Sequence, residues 1–212
     1  MSKEKREYRA MTLDASEEEK RVTGYASTFN EPYTLWTDKI FGATITYREQ
    51  VDPKAFNDAD MDDVIMQYDH EGRVFARKSN GTLDVNPDDK GLHISADLGG
   101  TELGRGLYEE IRGGYTTKMS YGFTVDEDKE ERTEDGDGNV DILRTILKVA
   151  KVYDVSAVSL PANEGTSISA EIRSRIDGAI EDVRAERLAA EELNLQRRRA
   201  EVRAKALLGG NK

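Results

Sequence analysis

A histidine, a serine and an aspartate stand on three separate strand-like runs, and together they are the parts of a serine hydrolase. His70 ends the apolar run Val64-Ile65-Met66-Gln67-Tyr68-Asp69-His70. Ser120 lies in Lys118-Met119-Ser120-Tyr121-Gly122-Phe123, and Asp154 in Val152-Tyr153-Asp154-Val155-Ser156. A serine hydroxyl is a poor nucleophile at neutral pH. A nearby imidazole takes its proton, and a third group fixes the imidazole tautomer and stabilises its charge. Histidine suits this work because its ordinary pKa is near ~6.5.

The choice of base is narrow, because the chain holds 2 histidines. Glu71-Gly72 follows His70 as a turn signal and puts its ring at a strand end, whereas His93 lies mid-strand on a polar face. Ser120 shares its face with Gly122 and Thr124, which leaves space for a substrate backbone to approach. Alternation puts Asp154 on the face of Val152, Ser156 and Val158. A carboxylate buried there needs a hydrogen-bond partner. An imidazole N–H is one reading, and a structural arginine such as Arg144 is the other. Asp69 and Glu71 flank His70 in an extended segment, so their side chains are expected to project away from its ring. Each histidine also reads as an ordinary core or surface side chain, and Ser120 as a small residue tolerated on a strand.

The elements that must position these groups are mainly strands. The chain has 212 residues, room for one domain and an appendage. Residues 1–20 are charged and read as a flexible N-terminal segment. Residues 21–165 alternate strand-like runs with turn signals, and residues 166–212 read as a charged helical extension. Strands are expected over residues 22–29, 44–51 and 63–70. Residues 74–78 and 82–85 are expected to pair as a hairpin across Ser79-Asn80-Gly81. Thr101 can cap a helix over residues 102–112 that Gly113-Gly114 ends, with Leu103, Leu107 and Ile111 as its buried stripe. Residues 142–160 are rich in apolar side chains, with a bend expected around Ala150-Lys151, which suits the centre of a closed sheet. Many short strands with flanking helices predict an α+β fold built on a closed antiparallel β-barrel.

The bulk numbers exclude several classes. With 0 cysteines there is no disulfide framework, thiolate metal site or thiol nucleophile. A formal net charge of -11 opposes nucleic-acid binding, so neither DNA nor RNA is an expected partner. No apolar run reaches the ~18–20 residues of a membrane span, and the charged N-terminus lacks a signal-peptide core, so a soluble cytoplasmic protein is expected. Asp135-Gly136-Asp137-Gly138-Asn139 begins like a calcium loop but has Val140 where glycine is needed and Ile146 where glutamate is needed. No phosphate loop, zinc element or Gly-x-Ser-x-Gly elbow is present, so no cofactor or metal is expected and a small-substrate esterase is disfavoured.

The order of the motifs carries a resemblance. Residues 24–30, the Pro53-Lys54-Ala55-Phe56 turn, Tyr68-Asp69-His70, Gly91-Leu92, residues 118–123, and Asp154-Val155-Ser156-Ala157-Val158 followed by Pro161-Ala162-Asn163 come in a familiar sequence. Over roughly residues 20–165 the chain resembles the prohead maturation proteases of tailed phages, a group related to the herpesvirus assemblins. The resemblance implies a serine endopeptidase inside the assembling prohead in the host cytoplasm. Its implied partners are the major capsid protein with its scaffolding segment and the protease itself. It implies the assemblin-type closed barrel, with His70 as general base, Ser120 as nucleophile and Asp154 as the acidic member. Many relatives have Asn-His where this chain has Asp69-His70, and glutamate at the third position. In the herpesvirus branch that third member is a second histidine; His93 could be proposed for that role, but it precedes the serine strand and ranks below Asp154. The same pattern also fits a catalytically inactive capsid-assembly module. The helical extension reads as a solvated helix, a docking arm or a self-cleaved tail.

Overall fold

The computed structural model of the chain describes residues 6–16, 20–159 and 170–209. In chain order the elements are β1 (Glu7–Ser16), β2 (Arg21–Thr28), β3 (Tyr33–Ile40), β4 (Ala43–Val51), β5 (Ile65–Tyr68), β6 (Glu71–Arg77), β7 (Leu83–Pro87), β8 (Gly91–Asp97), α1 (Glu102–Arg112), β9 (Lys118–Glu134), β10 (Val140–Val158) and α2 (Ala170–Gly209). The fold is mainly β with two helices among the described residues. Neither helix there is long and apolar enough to cross a membrane.

The strands run in the order β3-β4-β10-β9-β1-β2-β8-β7, with the β5–β6 hairpin attached to β10 through β5. This path is open. It ends at β3 and β7, which do not pair, so the closed antiparallel barrel predicted from the sequence is not formed. The sheet is also mixed, because β4 and β5 both run parallel to β10. The physical reason lies in β10 itself. Its long apolar run has β9 along one edge and β4, then β5, along the other. With both edges filled, the strand is buried without any need for closure.

Other differences follow from long-range partners. Residues 7–16, where charge predicts a flexible segment, form β1 between β9 and β2. Glu7 and Arg9 are both buried on it and pair with each other and with residues of β4 and β10. The Asn80-Gly81 turn exists, with Gly81 at φ 75°, but β6 pairs with β5 and β7 pairs with β8. Leu83 and Val85 are thereby set opposite Ala96 and Ile94 in the core.

Helix α1 has the predicted bounds, and the Thr101 hydroxyl accepts the Gly104 N–H at 2.9 Å. Leu107, Tyr108 and Ile111 are buried, whereas Leu103 is 50% exposed and lies off the stripe assigned to it. Helix α2 packs Ile172, Ile176 and Val183 against Ile45, Tyr47, Val140 and Ile142 in a second, smaller core. Further along, Leu188, Leu193, Leu195 and Val202 are exposed.

Candidate active site

His70 is placed by a strained turn. Asp69 and His70 join β5 to β6 with φ of 48° and 61°, so both central residues of this two-residue hairpin are left-handed. Asn-Gly usually fills such a turn, because a side chain there is disfavoured. Aspartate and histidine are among the residues that tolerate it. The turn is clamped to the end of β10. Asp69 N–H donates to Ala157 O at 2.9 Å, and the Asp69 carboxylate accepts from Ser159 N–H at 2.9 Å and Ser159 Oγ at 2.8 Å. Asp69 is thus occupied by Ser159 and does not orient His70.

The clamp carries the imidazole to Asp154. His70 Nδ1 lies 2.5 Å from Asp154 Oδ1, and Ser156 Oγ donates to the same oxygen at 2.8 Å. Asp154 is 3% exposed and Ser156 fully buried. Arg144, the other partner considered for this carboxylate, bonds Glu7, Glu49 and Asp128 instead.

Ser120 shares this face. On the β9–β10 ladder Ser120 is opposite Ser156, and Gly122 is opposite Asp154. A Cβ built on Gly122 would lie 2.5 Å from Asp154 Oδ2, so the carboxylate occupies the side of the sheet toward which residue 122, and therefore residue 120, points. The space left by the small residues is filled by Asp154 and by Tyr8, not left open for a peptide backbone. Ser120 Oγ and His70 Nε2 are both buried, and neither has a hydrogen-bond partner. The structure therefore brings His70 and Asp154 into contact, with Ser120 on their face and no bond yet between hydroxyl and imidazole.

Tyr8 covers the arrangement. It is paired with Gly122, its ring centroid is 4.3 Å from that of His70, and its Cε1 is 2.8 Å from where a Gly122 Cβ would sit. Sequence reasoning passed over Tyr8 because it lies in a charged segment. The signal available was the order of β1, where Glu7 and Arg9 flank it on the alternate face. His93 packs against Tyr25 at 5.3 Å between ring centroids and takes no part in the site.

A second buried polar cluster lies behind β9 and β10. Arg9 bonds Glu49 at 2.6 and 2.8 Å and Glu7 at 2.7 Å. Arg144 bonds Glu7 and Glu49 at 2.7 Å and Asp128 at 2.6 Å. Arg175 of α2 bonds Asp128 at 3.0 Å and Glu130 at 2.9 Å. Burial alone would raise the Glu49 carboxyl, but the charges of Arg9 and Arg144 and the hydrogen bonds from Arg9 and Tyr33 hold it below the usual carboxylate range. Asp128 is likewise held low against its burial by Arg175 and Arg144. The Asp135 turn resembling a calcium loop is closed by its own hydrogen bonds, from Asp137 N–H, Asn139 N–H and Asn139 Nδ2. Among the described residues no group of His, Cys, Asp or Glu is arranged to hold a metal ion.

A buried carboxylate bonded to a part-buried imidazole, on the face of an unpartnered serine, is an arrangement that hydrolases working by acyl transfer use. The chain matches the family of caudovirus prohead serine proteases over residues 6–178 and belongs to it. It is accordingly a protease of bacteriophage capsid maturation. No curated protein and no solved structure matches the chain.

Proposed function

We propose that the protein is a serine endopeptidase that cuts the scaffolding segment from the major capsid protein within the prohead, with Ser120 as nucleophile, His70 as general base and Asp154 as the acidic member. The observation that carries this reading is the 2.5 Å contact of His70 Nδ1 with Asp154 Oδ1, which leaves Nε2 unpartnered on the face of Ser120. With Nδ1–H given to the carboxylate, Nε2 is the basic nitrogen. Ser120 Oγ attacks the scissile carbonyl as Nε2 takes its proton. The imidazolium then protonates the leaving amine, and an acyl-enzyme remains. Nε2 next removes a proton from water, which attacks the ester and restores Ser120.

Substrate entry requires the Tyr8 ring to move off the imidazole, since both reacting atoms are buried beneath the present arrangement. Catalytic hydrogen bonds in unliganded enzymes often form only with substrate in place. An open groove of about 390 Å³ between the β5–β6 hairpin and α1, lined by Tyr68, Phe75, Leu103 and Leu107 with Glu102 and Glu110 among them, offers largely apolar surface to substrate side chains. Helix α2 is the proposed docking arm, and the tail is the proposed site of self-cleavage.

Co-expression with the major capsid protein tests the reading. The wild type is expected to shorten the capsid protein, while Ser120→Ala folds normally and leaves it full length. Complete processing by Ser120→Ala would overturn the assignment, and a wild type inert under the same conditions favours an inactive assembly module.

A further inference from the structure

Ser156 stands between the carboxylate and the proposed nucleophile. Its Oγ donates to Asp154 Oδ1 at 2.8 Å, the oxygen that also meets His70 Nδ1 at 2.5 Å. Across β9 and β10 it is directly opposite Ser120, and both residues are fully buried. Directly opposed residues have Cβ atoms about 5 Å apart on one face. On the other side of the carboxylate, Oδ2 lies 2.5 Å from where a Cβ of Gly122 would be. Asp154 is therefore held from two directions by groups that carry no charge, a hydroxyl on Oδ1 and a bare Cα beside Oδ2.

We infer that Ser156 is a positioning residue of the proteolytic reaction and that Gly122 is the steric half of the same cradle. The final torsion of an aspartate side chain is broad and weakly held by its own rotamer preference. A single hydrogen bond from the imidazole does not fix that torsion. The Ser156 hydroxyl and the close approach of Gly122 fix it, so that Oδ1 faces Nδ1 and the ring keeps Nε2 toward Ser120. Ser156 is not itself the reactive hydroxyl. Its proton is committed to a carboxylate, whereas the two atoms that proton transfer must join, Ser120 Oγ and His70 Nε2, both lack partners.

This inference rests on the proposed roles of His70, Ser120 and Asp154, and its test separates the two. The probe is a fluorophosphonate that acylates activated serines. Its saturating rate constant and its binding constant are measured separately, per folded molecule, and the labelled residue is located by peptide mass mapping. In the wild type and in Ser156→Ala the label is expected on Ser120. Ser156→Ala should lower the saturating rate roughly tenfold, the effect of one hydrogen bond to a charged group, with the probe's binding constant unchanged. Ser156→Cys should fall between the two, because a thiol is a weaker donor. Gly122→Ala should lower the same rate without moving the label.

A wild-type rate in Ser156→Ala overturns the inference. If that variant does not fold, a wild-type rate in the nearly isosteric Ser156→Cys overturns it equally. Label on Ser156 in Ser120→Ala contradicts both the inference and the reading beneath it. An unlabelled Ser120→Ala beside an undiminished Ser156→Ala removes the inference alone.

Discussion

Two buried polar clusters lie on opposite sides of the same strands, and they are built on different terms. In the cluster of Glu7, Arg9, Glu49, Asp128 and Arg144, opposite charges pair with one another, and none of its buried polar side-chain atoms lacks a partner. In the cluster of His70, Ser120 and Asp154, two buried atoms have no partner, and the histidine sits in a left-handed turn. Buried polar atoms ordinarily find partners, so the exceptions call for a reason. The first cluster is satisfied because it fixes the sheet. On the proposed roles, the second is left incomplete where a substrate would complete it, and strain and unmet hydrogen bonds gather at such sites.

Substitutions can break that contrast. His70→Gly removes the proposed base and relieves the left-handed turn in one step. Labelling by a serine-directed probe should fall on the order of 10³-fold or more. Stability should fall by about 1–3 kcal/mol, because the loss of the hydrogen bond to the buried Asp154 carboxylate outweighs the relief of positive φ. Denaturant melts and labelling rates on the same sample check both halves. A variant that loses labelling but gains stability would show that strain in the turn outweighs the hydrogen bond to Asp154.

Glu49→Gln attacks the other cluster. It leaves Arg9 and Arg144 short of a buried counter-charge and should destabilise the fold by about 3–5 kcal/mol. The labelling rate of the molecules that remain folded should be unchanged. A large drop in that rate would join the two clusters into one functional unit.

Acid should probe the same cluster more gently. Glu49 and Asp128 have folded pKa values below their unfolded ones. The stability they contribute is therefore fully present above the ordinary carboxylate range of about 4 and is lost as pH falls through the lower folded values. Thermal midpoints should stay level from neutral pH to about 5 and then fall, and Glu49→Gln should flatten that fall.

The smallest expected effect is at the cover of the site. Tyr8→Ala removes the ring from His70 and should speed labelling by roughly tenfold or less, the scale of one aromatic contact. Slower labelling would make Tyr8 part of the productive geometry instead of its lid.

The sequence was most legible where the signal is local. Helix α1 is announced by Thr101, a helical apolar period and Gly113-Gly114, and those features set its observed bounds. His70, Ser120 and Asp154 stood out because each breaks a strand pattern with a reactive group. What could not be read depends on partners far along the chain. β1 looked like a solvated tail because Arg9 meets Glu49 and Glu7 meets Arg144, 40 and 137 residues away. The predicted barrel failed for a similar reason. The apolar richness of β10 says that it is largely buried, but not that β4 and β5 fill its edge in parallel. Gly122 was legible as small, yet its role appears only when Asp154 is set opposite it.

The most direct test of the account is a peptide map of the wild-type protein after reaction with a fluorophosphonate. The account predicts one adduct, on Ser120, that disappears when His70 is replaced. An adduct on another serine, or one on Ser120 that persists undiminished without His70, would contradict it.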